Sequence, residues 1–130
     1  MEPDVDASIL VLHHDDEARL SHVKVLEAAG YVTIATDDPH AALDLIESSA
    51  RFELLIAEIR IPTSGPHGIA VANMAMLKRH NLKVIFTTDD PSAIPANFVD
   101  RRAIATLKKP LAPEVLLAAV KAALGRTTAL

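Results

Sequence analysis

Five short apolar runs divide the chain, and polar turns and helical repeats lie between them. The runs are Ile9-Leu10-Val11-Leu12, Val32-Thr33-Ile34-Ala35, Leu54-Leu55-Ile56-Ala57, Val84-Ile85-Phe86 and Ile104-Ala105-Thr106-Leu107. Continuous runs without polar alternation are what strands covered on both faces require. After the first run, Asp15-Asp16-Glu17 offers a cap and early negative charge. Ala18, His22, Val25, Leu26 and Ala29 then recur on one helical face, and Gly30 closes the segment. Asp38-Pro39 supplies an N-cap with Pro at the first helical position, followed by an inward stripe of Ala42, Leu45, Ile46 and Ser49. A Pro- and Gly-rich loop over 62–68 leads to a third repeat with Ile69, Ala72, Met76 and Leu77 inward. Between 89 and 102, Pro91 and Pro95 limit any helix to a short or broken one. Pro113 opens a last helix with Leu116, Leu117, Val120 and Leu124 inward.

Five strands alternating with five helical segments predict a doubly wound α/β fold, a five-stranded parallel sheet with helices on both faces. The chain reads as one domain over residues 1–130, with its core at about 8–124 and frayed ends at 1–7 and 125–130. Half of the 130 residues are apolar, but only three Phe and one Tyr are aromatic, so the core must be built from Ala, Val, Ile and Leu. The absence of cysteine excludes disulfides, thiolate metal sites and cysteine nucleophiles. A net charge of −4 with basic residues in scattered pairs (Lys78-Arg79, Arg101-Arg102, Lys108-Lys109) argues against nucleic acid as a partner. The acidic start lacks the basic and apolar regions of a signal peptide, and no apolar run approaches a membrane span, so a cytoplasmic protein without a membrane partner is expected. Neither a nucleophile elbow nor a phosphate-cradling glycine loop is present, and no enzyme activity is expected.

In such sheets the site lies at the carboxyl ends of the strands. The residues there are His13-His14, Glu58, Thr87-Thr88 and Lys108-Lys109. From about residue 8 to 124 the chain resembles the receiver domain of bacterial two-component response regulators. Thr88 after strand four, Lys109-Pro110 after strand five, the stretch Glu58-Ile59-Arg60-Ile61-Pro62 and the helix end Ala29-Gly30-Tyr31 carry the likeness. The resemblance implies a flavodoxin-like (βα)5 fold and a place in two-component signal transduction or a phosphorelay. It also implies partners among signalling proteins: a histidine kinase, a downstream effector or a second copy of the chain. The departures are equally specific. Glu58 stands where the family carries its phosphoacceptor Asp, and His13 and His14 stand where it carries an acidic pair. Thr106 replaces an aromatic switch residue, the loop after Pro62 is about two residues longer, and Pro95 weakens the fourth helix.

Imidazoles are poor ligands for Mg²⁺, which demands oxygen donors. Weak or absent Mg²⁺ binding, and no resident metal or other cofactor, is therefore expected. The Glu58 carboxylate reaches one methylene further than Asp, towards the place of a phosphoryl group. There Lys109 is expected to pair with it and Thr88 to donate a hydrogen bond. This predicts a phosphorylation-independent interaction module. A Mg²⁺-dependent phosphoacceptor remains the alternative, with Asp15 and Asp16 as the acids if the strand end bulges. Transition-metal sensing through His13, His14 and Glu58 is a third reading. Plainer roles stand beside these: Glu58 held by Lys109 for structure alone, His13-His14 as solvent-facing strand-end residues, Asp15-Asp16-Glu17 as a capping cluster, His22 as a satisfied core or boundary histidine, and His80 at a helix C-terminus.

Overall fold

The computed structural model describes residues 8–61, 67–90 and 103–125. Its strands are β1 (Ser8–Leu12), β2 (Val32–Thr36), β3 (Leu54–Glu58), β4 (Lys83–Thr88) and β5 (Ala103–Lys108). Its helices are α1 (Asp16–Ala28), α2 (Pro39–Glu47), α3 (Gly68–Lys78) and α4 (Pro113–Leu124). All strands are parallel and lie in the order β2-β1-β3-β4-β5, the doubly wound arrangement in which the site falls beside β1 and β3.

The non-alternating runs are explained by two cores. Leu10, Leu12, Leu55, Ala57, Val84 and Phe86 point to one face, where Ala42 and Ile46 of α2 and Val71, Ala72, Ala75 and Met76 of α3 cover them. Ile9, Val11, Leu54, Ile56 and Ile85 point to the other, under Leu26 of α1 and Leu116, Val120 and Ala123 of α4. Each central strand is therefore apolar at successive positions through its middle, with polar residues at its ends. β2 differs from the expected pattern, because at the sheet edge its Val32 and Ile34 stay exposed.

The helix starts are built as the sequence predicts. The Asp15 carboxylate accepts the Ala18 amide, and Asp38 accepts the His40 amide ahead of Pro39. Gly30 follows α1 at φ +96°, a conformation that L side chains rarely adopt. Three inward positions need correction: Ala29, Ser49 and Leu77 are exposed. Ala29 is the C-cap of α1, and Ser49 lies beyond the end of α2. In α3 the inward stripe is Gly68, Val71, Ala72, Ala75 and Met76, which turns Leu77 to solvent. The segment with Pro91 and Pro95, most of the loop after Pro62 and residues 1–7 lie outside the described residues. Of 125–130 only Gly125 is described, as the left-handed C-cap of α4.

Candidate functional site

Three strand ends bring the site together. The register of β1 on β3 pairs Leu12 with Ala57, so the next step along each strand sets His13 beside Glu58. The His13 amide donates to Thr36 O at 3.1 Å, prolonging the β1 ladder, and Ile59 N donates to Thr87 O at 3.0 Å, prolonging β3 onto β4. Lys109 follows β5 and is anchored by its amide to Thr88 O at 2.8 Å.

Glu58 is 1% exposed, and its carboxylate is fully engaged. The His14 amide donates to Oε1 at 2.8 Å, and His14 Nδ1 lies 2.7 Å from Oε1 and 2.8 Å from Oε2. Lys109 Nζ donates to Oε2. Burial by itself would raise the Glu58 pKa, but the hydrogen bonds from Lys109 and from the amide and ring of His14 outweigh it. The net displacement is below the ordinary value, and Glu58 is an anion at neutral pH. The expected pairing with Lys109 is therefore present. The expected hydrogen bond from Thr88 is not: its hydroxyl donates to Asp90 O at 3.2 Å and accepts from Asp90 N at 3.1 Å, closing a local turn.

The two histidines are not the solvent-facing pair of the plainer reading. His14 is exposed, but His13 is 2% exposed. The His13 ring stacks on His14 with centroids 5.6 Å apart and meets the edge of the His22 ring at 5.3 Å. Its Nδ1 accepts the Asp15 amide at 3.2 Å, and Arg19 holds its carbonyl at 3.0 Å. Burial lowers the His13 pKa to about 4, against the opposing pull of Glu58 and with help from Lys109, His22 and His14. Burial also lowers that of His22. His22 is not a satisfied core histidine. Its Nδ1 and His13 Nε2 are buried without a hydrogen-bond partner among the described residues.

Asp15 and Asp16 follow the capping reading. Asp15 caps α1, and the Ala18 amide lowers its pKa. Asp16 pairs with Arg19 on the surface at 2.6 Å. Among the described contacts neither carboxylate meets Glu58. Thr106 pairs with Phe86 across β4 and β5 and is exposed. Sequence reasoning missed Arg19 as the brace of the His13 carbonyl. Its spacing of three from Asp16 was the one available signal. It also missed the cleft of about 790 Å³ above Glu58, whose walls include Ile59, Ile61, Ile69, His67, Thr88 and Lys109.

A five-stranded parallel sheet in this order, with its polar groups gathered at the strand ends, defines a flavodoxin-like α/β protein. The chain belongs to the response regulator receiver domain family, whose model matches residues 9–121. The chain is similar to a response regulator receiver protein from Sinorhizobium medicae at 22% identity and TM-score 0.83, over 92% of this chain and 95% of that one. It is similar to the response regulator TrrA from Thermotoga maritima, solved with Mg²⁺ and BeF, at 23% identity and TM-score 0.78, over 90% and 98%. The receiver domain of the hybrid histidine kinase CckA aligns at 24% identity and TM-score 0.75, over 91% and 99%. These likenesses show the fold. No curated protein matches by sequence. Among the described residues no helix is long and apolar enough to cross a membrane.

Proposed function

We propose that this receiver domain signals without being phosphorylated, as a cytoplasmic protein-interaction module with no catalytic activity of its own. The observation that carries the reading is the saturation of Glu58. The carboxylate that would have to attack phosphorus is buried and already holds Lys109, the His14 amide and the His14 ring. Phosphoryl transfer also needs charge neutralisation by a metal and an in-line approach sensitive to displacements of about 1 Å. Mg²⁺, which the fold family implies, requires oxygen ligands. The groups facing Glu58 are instead two imidazoles and an ammonium, a donor set that does not fit it. Asp15 and Asp16 point to capping and to Arg19, so the conventional phosphoacceptor reading lacks its acids.

The Glu58–Lys109 pair occupies the place of a phosphoryl–lysine contact, and it holds the strand ends in one fixed state. A partner among signalling proteins, a kinase, an effector or a second copy of the chain, reads that state. The decisive experiment is intact-mass measurement after incubation with Mg²⁺ and acetyl phosphate. Wild type is expected to gain no phosphoryl mass, whereas a variant carrying Glu58→Asp, His13→Asp and His14→Asp gains it. A Mg²⁺-dependent gain in wild type would overturn the reading.

A further inference from the structure

The two oxygens of Glu58 share His14 Nδ1, at 2.7 Å from Oε1 and 2.8 Å from Oε2, but differ in their other neighbour. Oε2 holds Lys109, while Oε1 lies 3.7 Å from His13 Nδ1. The two imidazole planes are only 16° apart, so consecutive residues present the same ring atom to the same oxygen. We propose that His13 Nδ1, His14 Nδ1 and Glu58 Oε1 form a site for a divalent transition-metal ion of the zinc or nickel type. The proposal shares with the interaction reading only the misfit of Mg²⁺.

The donor set is the first support. Two imidazole nitrogens and one carboxylate oxygen suit a borderline metal and not magnesium: nitrogen selects Zn²⁺ or Ni²⁺, whereas Mg²⁺ demands oxygen. Geometry is the second. Tetrahedral zinc with bonds of about 2.0–2.1 Å keeps its ligand atoms roughly 3.4 Å apart. The observed separations of 2.7 and 3.7 Å bracket that value, and the nitrogen and oxygen atoms of the trio all lie within 4.8 Å of one another. Small side-chain rotations close the difference.

Protonation is the third. His13 Nδ1 is the unprotonated nitrogen of its ring, since it accepts the Asp15 amide at 3.2 Å, and the ion takes that lone pair by displacing this long bond. The short approach of His14 Nδ1 to an acceptor-only carboxylate requires a hydrogen on that nitrogen. A metal ion takes the place of this hydrogen, which moves to Nε2 of the same ring, so His14 binds by a change of tautomer. The exposed edge of His14 beside the cleft leaves solvent access for the ion and for a water in the fourth position. Lys109, which stays on Oε2, repels the cation. The affinity is that of an exchangeable site rather than of a permanent structural one.

The test is calorimetric titration of the chelator-treated chain with Zn²⁺, Ni²⁺ and Mg²⁺. A single saturable Zn²⁺ or Ni²⁺ site is expected, and no saturation by Mg²⁺. Affinity should fall at least about tenfold in His14→Ala and Glu58→Gln, stay unchanged in His67→Ala across the cleft, and rise in Lys109→Met. No saturable site, or equal affinity in His14→Ala and Glu58→Gln, would overturn the proposal. If those variants do not fold, imidazole NMR of wild type decides. Zn²⁺ must move the His13 and His14 signals, and shifts confined to His40, His67 or His80 overturn the site. Phosphoryl transfer from acetyl phosphate would sink the interaction reading and leave this titration standing.

Discussion

Gly68 lies so close beneath the end of β3 that a β-carbon on it would come within 1.9 Å of the Glu58 carbonyl oxygen. Its amide donates to Ile59 O at 3.0 Å, so the approach of α3 to the site is set backbone to backbone. No flexible side chain is present to give way. Gly68→Ala is expected to cost about 1–3 kcal/mol, as overpacking does, and to displace Glu58 relative to Lys109. Urea denaturation with amide NMR would check this, and wild-type stability with unmoved Glu58 signals would show that the approach is not tight.

Lys109→Ala leaves a buried anion with only His14 as a partner. Breaking a buried pair costs roughly 3–5 kcal/mol, and the surviving His14 bonds place this variant at the lower end. A double variant, Glu58→Leu with Lys109→Met, should regain most of the loss, because it removes both desolvation costs. Denaturation of the three proteins in a double-mutant cycle measures the coupling. A Lys109→Ala stability within error of wild type would remove the pair from any structural role.

Acid should destabilise the metal-free fold well before ordinary carboxylates titrate. Burial lowers His13 from 6.5 to about 4 and moves His22 the same way. Between those values the unfolded chain binds the proton and the folded one does not, so stability falls as pH drops from 6.5 and the full cost is reached below about 4. For His13 that cost is on the order of 3 kcal/mol. Glu58, with its folded pKa depressed, contributes stability above its ordinary value near 4.5 and loses it as pH falls through the folded value. Both effects have the same sign. Urea midpoints at pH 7.5, 5.5 and 4.5 should decline for wild type and decline less for His22→Leu; parallel slopes would contradict the assignment for His22.

Away from the site, Arg79 ties α3 to the end of α2. Its guanidinium donates to Ile46 O at 2.9 Å, Ser48 O at 2.9 Å and Leu45 O at 3.4 Å, and it sits 5.3 Å from the Phe52 ring centroid. Carbonyls at a helix C-terminus have no partner within the helix. Arg79→Ala should therefore lower stability by about 2 kcal/mol. Arg79→Lys should restore only part, since a compact ammonium does not span the three carbonyls as the planar guanidinium does. Thermal midpoints of the two variants decide it.

Much of the fold is legible in residue order. The runs at Leu10, Leu55 and Val84 are apolar at every step because each strand feeds two cores, and Asp15, Asp38 and Pro39 mark helix starts through local hydrogen bonding. Glu58, Lys109 and His14 could be named as strand-end residues for the same reason: the parallel order fixes which end of each run carries chemistry. Edge exposure at Val32 and Ile34 could not be read, because a strand's neighbours are not encoded in its own pattern.

The sequence by itself determined the alternation of strands and helices, the family, and the replacement of carboxylates by His13 and His14 and of aspartate by Glu58. Tertiary structure decided how those groups meet. It buried His13, turned Thr88 to Asp90, sent Asp15 and Asp16 to caps and surface pairs, and gathered Lys109 and the His14 ring on the Glu58 carboxylate with His13 beside Oε1. The reason is range. Caps and strand runs are settled within a few residues, whereas the surroundings of Glu58 come from residues 44 and 51 positions away, which only the packed sheet brings together.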